Sequence, residues 1–149
     1  MTQRRIYQNC HPYLITTNVL KRAPLFESEE YAKVLSDTII DVCNDLDCEL
    51  YAFCIMPDHV HLLLRTNNEN NISTILQQIK SLTAKDLRGD HGFNVKFWQP
   101  RFYHKLIKTT SAFNSAIAYI KENPLKWRLD SRFLKSPYMF IDEKGIKTL

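Results

Sequence analysis

Glu49-Leu50-Tyr51-Ala52-Phe53-Cys54-Ile55-Met56-Pro57-Asp58-His59-Val60-His61-Leu62-Leu63-Leu64-Arg65 is the stretch that decides the fold. Two short runs rich in β-branched, aromatic and aliphatic residues flank Pro57-Asp58, a pair that favours a turn. The reading is a hairpin of two strands, Glu49 to Ile55 and His59 to Arg65. Upstream, Ser28 can cap a helix whose first residues, Glu29 and Glu30, suit the positive end of its dipole. Tyr31, Val34, Leu35, Thr38, Ile39, Val42 and Leu46 then recur at three- and four-residue spacing, as one buried helical face requires. Before that helix, Tyr13 to Thr17 reads as a strand, and Lys21 to Phe26 as a loop through Pro24. Downstream, the polar run Asn67 to Asn71 is a loop, and Ile72, Ile75, Leu76, Ile79 and Leu82 mark a second helix ending near Gly89. Phe102 to Ile107 is a fourth strand. Ser111 opens a third helix, expected to stop near Asn123 because Pro124 disfavours helical geometry in the residue before it. The order β-α-β-β-α-β-α is that of an α+β, ferredoxin-like split βαβ fold, an antiparallel sheet with packed helices. Beyond Leu129 the pattern supports no assignment.

The 149 residues suit a single domain, here 1–149, with a core from about 13 to 126, an N-terminal arm and a C-terminal tail. Hydrophobic residues make up 44% of the chain and glycine only three positions, which excludes collagen-like and wholly disordered classes. Apolar runs such as Leu62-Leu63-Leu64 fall far short of the roughly 20 residues of a membrane-spanning helix. Thr2-Gln3-Arg4-Arg5 leads into no signal-peptide core. The expectation is a soluble, cytoplasmic, nucleoid-associated protein with no membrane partner. Cysteines 10, 43, 48 and 54 form no Cys-x-x-Cys pair and lack zinc-site spacing, so they read as reduced thiols, chiefly small buried apolar residues. Charge is divided unevenly. Residues 1–79 hold six Lys and Arg against ten Asp and Glu, whereas residues 80–149 hold fourteen against six, so a polyanion-binding surface would lie in the second half.

His59-Val60-His61 places two imidazoles two residues apart on a strand, so both leave one face while Val60 points to the other. Neutral imidazole suits first-row metals, and two such ligands leave room for a third group, water and a phosphate oxygen. The spacing also suits two buried structural histidines. In the third helix the apolar stripe is Phe113, Ile117 and Ile120. Tyr119 lies off it among Ala112, Ser115 and Ala116, with Asn123 four residues on projecting from nearly the same face. Such a phenol has room before it for a ligand; a boundary tyrosine and a helix-capping asparagine are the plainer reading. Lys80, Lys85 and Arg88 on the second helix, with Arg101, Lys105 and Lys108 around the fourth strand, are candidate phosphate contacts. Phe97, Trp98, Phe102 and Tyr103 lie among them as stacking or core residues. Arg4 and Arg5 could reach nucleic acid as an arm or simply fray.

Three motifs, in order and spacing, resemble the single-tyrosine HUH transposases, and most of all their REP-associated branch. They are Met56-Pro57-Asp58-His59-Val60-His61-Leu62-Leu63-Leu64, then Phe97-Trp98-Gln99-Pro100-Arg101-Phe102-Tyr103, then Tyr119-Ile120-Lys121-Glu122-Asn123-Pro124-Leu125-Lys126. The resemblance runs from about Tyr13 to Lys126. It implies a ferredoxin-like HUH nuclease acting on single-stranded DNA that carries hairpins, with His59 and His61 as metal ligands, Asn123 as the third ligand and Tyr119 as nucleophile. Asp58 stands where the family commonly has asparagine, His104 where an acidic residue is usual, and Trp127-Arg128 where small residues are more typical.

A free tyrosine has a pKa of about 10, so its phenolate costs roughly 4 kcal/mol at neutral pH. A divalent ion, Mg²⁺ or Mn²⁺, on the phosphate would offset that cost. The implied product is a 5′-phosphotyrosine link with a free 3′-hydroxyl, from which strands can be rejoined without ATP. The active groups would come from one chain or from a homodimer. The alternative is a catalytically silent module that binds hairpin nucleic acid without cutting. Two-histidine phosphoesterases require His-x-Ser/Thr pairs, and this chain has none.

Overall fold

The computed structural model describes residues 7–90, 92 and 96–143, apart from the Asp90 side chain. Arg4 and Arg5 lie outside these residues. Five strands, β1 (Pro12–Asn18), β2 (Glu49–Met56), β3 (His59–Arg65), β4 (Tyr103–Leu106) and β5 (Met139–Ile141), form one sheet in the order β4-β1-β3-β2-β5. Every neighbouring pair is antiparallel. Three helices, α1 (Glu29–Asp45), α2 (Ile72–Asp90) and α3 (Thr110–Lys126), cover it.

The hairpin reading of residues 49–65 holds: β2 and β3 pair from Glu49↔Arg65 to Met56↔His59 around Pro57-Asp58. These strands lack polar alternation because both of their faces are covered, so nearly every position is buried. On one face Phe53, Ile55, Val60, Leu62 and Leu64 meet Leu35, Ile39 and Val42 of α1 and Ile72, Ile75, Leu76 and Ile79 of α2. On the other, Ala52, Cys54, Met56 and Leu63 meet Phe113, Ala116, Ile117 and Ile120 of α3. Period-two alternation therefore sends His59 and His61, in step with Leu63, toward α3.

Ser28 caps α1, its hydroxyl accepting from the Tyr31 N–H. α3 departs from expectation at both ends. Its cap is Thr109, whose hydroxyl accepts from the Ala112 N–H, rather than Ser111. It also runs through Pro124 to Lys126 instead of stopping near Asn123. The proline forfeits one helical N–H, but the turn beyond it is closed by Trp127 N–H to Asn123 C=O, Arg128 N–H to Leu125 C=O and Leu129 N–H to Pro124 C=O. Asn123 is therefore an interior helical residue, not a cap, and keeps its i+4 relation to Tyr119.

The packed core, expected to end near residue 126, continues past it. A 3₁₀ turn at Ser131–Leu134 buries Phe133, Tyr138 is fully buried with its hydroxyl donating to the Glu27 carbonyl, and β5 adds to the free edge of β2. Short strands that pair with an edge carry little periodic signal, which is why the sequence reading found nothing there. No helix among the described residues is long and apolar enough to cross a membrane.

Candidate active site and nucleic-acid interface

The register of the central strands builds the site. Thr16 of β1 stands opposite His61, and Asn18 opposite His59. The Thr16 hydroxyl lies 2.7 Å from His61 Nδ1, and Asp58 Oδ1 accepts from His59 Nδ1 at 2.6 Å. Asp58 can only accept, so His59 carries its proton on Nδ1 and turns a bare Nε2 inward. That atom lies 3.2 Å from His61 Nε2. Thr16 serves either His61 tautomer, because a hydroxyl can donate to Nδ1 or accept from it. When it accepts, both Nε2 lone pairs face one another, an arrangement that calls for a cation between them.

Arg22 completes this cluster. Its Nε donates to Asp58 Oδ2 at 2.9 Å, and its Nη2 lies 3.4 Å from His59 Nδ1. Arg22 holds a positive φ of 55°, an unusual backbone state for a side chain of this size. Burial weighs most on the Asp58 carboxyl and would raise its pKa, but Arg22 and His59 together outweigh it and hold the group below its ordinary value. Burial lowers the pKa of His59, with partial compensation from Asp58. Burial, reinforced by the neighbouring His59, lowers His61 to about 3. Both imidazoles are thus kept neutral, the form that ligates metal.

Asn123, only 2% exposed, lies near enough to His61 to favour the imidazolium slightly, yet its buried Oδ1 finds no well-formed hydrogen bond. An orphaned carbonyl oxygen in such a place is costly unless something else satisfies it. With Thr16 accepting, the two imidazole nitrogens and the unpaired amide oxygen form a mixed donor set of the kind that takes a first-row divalent cation such as Mn²⁺. The described residues hold no cluster of three or more His, Cys, Asp or Glu side chains able to take a metal, and the Asn123 amide oxygen is the candidate third donor beside the two histidines. Tyr119 completes the site: its ring centroid is 5.0 Å from that of His61 at an interplanar angle of 75°, and the residue is 41% exposed. The structure thus brings His59, His61, Tyr119 and Asn123 together within one chain.

The basic residues disperse more. Lys80 and Arg88 line a groove of about 850 Å³ between α2 and the segment before β4, with Lys96, Gln77 and Phe102. Lys80 is half-buried there and donates to the Gln99 and Arg101 carbonyls at 2.8 and 3.2 Å, with its ammonium 5.9 Å from the Trp98 ring centroid. Burial lowers its pKa to about 8. It pins the loop before β4 to α2, with two of its three donors already used. Arg101 sits outside that groove in a smaller recess with Phe102, Tyr103 and His104. Lys85, Lys105 and Lys108 are exposed and line neither. Of the aromatics, Phe97 and Trp98 are buried against Phe26, while Tyr103 is exposed. Cys43, Cys48 and Cys54 are buried free thiols, as expected, whereas Cys10 is a free thiol at the surface. Sequence reasoning missed Thr16 and Arg22, since neither lies near the histidines in the chain.

Comparison with known proteins agrees with this architecture. The chain is 27% identical over 125 residues to the REP-associated tyrosine transposase of Escherichia coli K12, covering 83% of this chain and 72% of that one. A Haemophilus influenzae protein assigned to the same group is 27% identical over 107 residues, 65% of this chain and 61% of its own length. Among solved structures, a REP-associated tyrosine transposase bound to a REP hairpin superposes with a TM-score of 0.75 at 24% identity, over 93% of this chain and 81% of the other, and shows the same fold. The sequence model of the IS200-like transposases matches residues 7–123, and a chain that carries this match over most of its length, on this ferredoxin-like sheet, belongs to the IS200-like transposase family.

Proposed function

We propose that this protein is a metal-dependent, single-strand DNA nuclease and strand transferase that acts on hairpin-bearing repeat or transposon-end DNA, with Tyr119 as nucleophile. The observation that carries this reading is the meeting of Tyr119 with His61 across α3 and β3, beside the orphaned Asn123 oxygen. The naming of the E. coli relative as a REP-associated tyrosine transposase, and the solved relative's REP hairpin, support the choice of DNA.

His59, His61 and Asn123 would hold Mg²⁺ or Mn²⁺, which when bound would supply Lewis acidity at the scissile phosphate. Asp58 and Thr16 fix the two imidazoles so that their Nε2 atoms converge without reorganisation. α3 presents the partly exposed phenol of Tyr119 beside them. Its oxygen attacks phosphorus, a Tyr119 Oη–P bond forms, the P–O3′ bond breaks, the 3′-oxygen takes up a proton and the phenolic proton passes to solvent. The product is a 5′-phosphotyrosine with a free 3′-hydroxyl. The reverse attack by a 3′-hydroxyl rejoins strands, because a phosphodiester is exchanged for a phosphodiester.

The test mixes the protein with single-stranded hairpin oligonucleotides from its own gene's flanks, with Mn²⁺ or EDTA. A denaturation-resistant adduct, mapped to Tyr119 by mass spectrometry and absent with EDTA, is expected. Tight, salt-sensitive hairpin binding with no adduct would instead mean a module that binds and does not cut.

A further inference from the structure

Trp127 caps α3 and is 62% exposed, an uncommon setting for the largest side chain. It borders a cavity of about 280 Å³ whose other walls are Arg22, Pro24, Met56, Pro57, Asp58, His59 and Leu129. The cavity therefore shares His59 with the candidate metal site. Its lining divides by chemistry. Trp127, the two prolines, Met56 and Leu129 offer flat or apolar surface. Arg22 and Asp58 form one polar wall, and both Asp58 oxygens are already taken, Oδ1 by His59 and Oδ2 by Arg22. The Arg22 side chain is half exposed and keeps donors for the acceptor edge of a base or for a phosphate. Lys126 and Arg128 flank Trp127 in the chain and add positive charge.

We propose that this cavity is a stacking subsite for the unpaired nucleobase adjoining the scissile phosphate, with Trp127 as its platform and Arg22 at its polar edge. The proposal rests on the nuclease reading above and adds what that reading lacks, a feature that seats the unpaired nucleotide beside the cut. An aromatic face, a few apolar walls and a guanidinium suit an unpaired base. A paired base has its faces covered by its neighbours and could not enter, so the subsite also selects for single strands next to the hairpin.

Intrinsic fluorescence reports the contact, because the chain has two tryptophans and Trp98 is buried, and quenching that is lost in Trp127→Phe belongs to Trp127 rather than to Trp98. Hairpin oligonucleotides, intact or with an abasic site on either side of the cut, are titrated into the Tyr119→Phe protein with Mn²⁺, alone or combined with Trp127→Ala or Trp127→Phe. Intact DNA should quench the fluorescence, and the abasic oligonucleotide at one of the two positions should not. Trp127→Ala should weaken binding of intact DNA roughly tenfold, the scale of a lost base stack, and abolish the penalty of the abasic site. Trp127→Phe should retain most of the affinity. If wild-type protein forms the Tyr119 adduct while Trp127→Ala binds intact and abasic DNA as its parent does, the subsite is overturned and the nuclease stands. If wild-type protein neither binds nor cuts any hairpin, both fall together.

Discussion

The Nε2 atoms of His59 and His61 stand 3.2 Å apart because β3 sends both side chains to one face and because Asp58 and Thr16 hold the opposite ring nitrogens. The two outer contacts come from different sources, a turn residue adjacent in the chain and a residue of the neighbouring strand. Each can be removed without touching either imidazole.

Asp58→Ala should leave the sheet intact but free the His59 ring, and Mn²⁺ affinity followed by electron paramagnetic resonance should fall roughly 10- to 100-fold, as for other outer partners of metal ligands. Asp58→Asn should keep most of the affinity, since its amide oxygen still accepts from His59 Nδ1. Equal losses in the two variants would show that the carboxylate's charge, not its acceptor, matters.

Tyr119→Phe removes one exposed hydroxyl. Thermal stability should stay within about 0.5 kcal/mol of wild type, and hairpin binding should be nearly intact, while the covalent adduct disappears. An adduct of undiminished yield on Tyr103 would assign the chemistry elsewhere.

His61 links stability to pH. Its pKa falls from an ordinary 6.5 to about 3 on folding, so below pH 6.5 the unfolded chain binds a proton that the folded chain refuses. The contribution of neutral His61 is fully present above pH 6.5 and is lost as pH drops toward 3. In EDTA, melting temperature should therefore fall between pH 7 and 4.5 more steeply for wild type than for His61→Gln.

Two lysine and arginine positions in the same groove should behave differently. Lys80→Ala removes the hydrogen bonds to the Gln99 and Arg101 carbonyls and should cost about 1–3 kcal/mol of stability, the scale of hydrogen bonds from a charged donor. Arg88→Ala should leave the melting temperature unchanged and lower the salt dependence of DNA binding by about one unit of log–log slope. Parallel denaturation and salt-titration series separate the two.

The tail is tested at Phe133. Phe133→Ala should destabilise the domain by about 3–5 kcal/mol in urea unfolding, the usual cost of emptying a buried phenylalanine site. A loss below 1 kcal/mol would mean that the segment after α3 packs on the sheet without supporting it.

Much of this molecule is local and so was legible in the chain. The hairpin follows from Pro57-Asp58 between two apolar runs, the α1 boundary from Ser28, and the shared face of His59 and His61 from the two-residue period of a strand. Asn123 was legible as a neighbour of Tyr119 from helical spacing. Its helical state was not, since the preference of a residue before proline is a bias that tertiary packing and the closing hydrogen bonds of Trp127 and Leu129 override. β5 was invisible because three residues on a sheet edge carry no period of their own. What only the tertiary structure decided is which chemistry meets which. Thr16 reaches His61 through strand register across 45 residues, Arg22 reaches Asp58 through a backbone turn of positive φ, and α3 crosses the sheet so that Tyr119 stands against His61. Those contacts depend on long-range burial, which positions elements relative to one another, whereas periodicity and capping fix only what each element is.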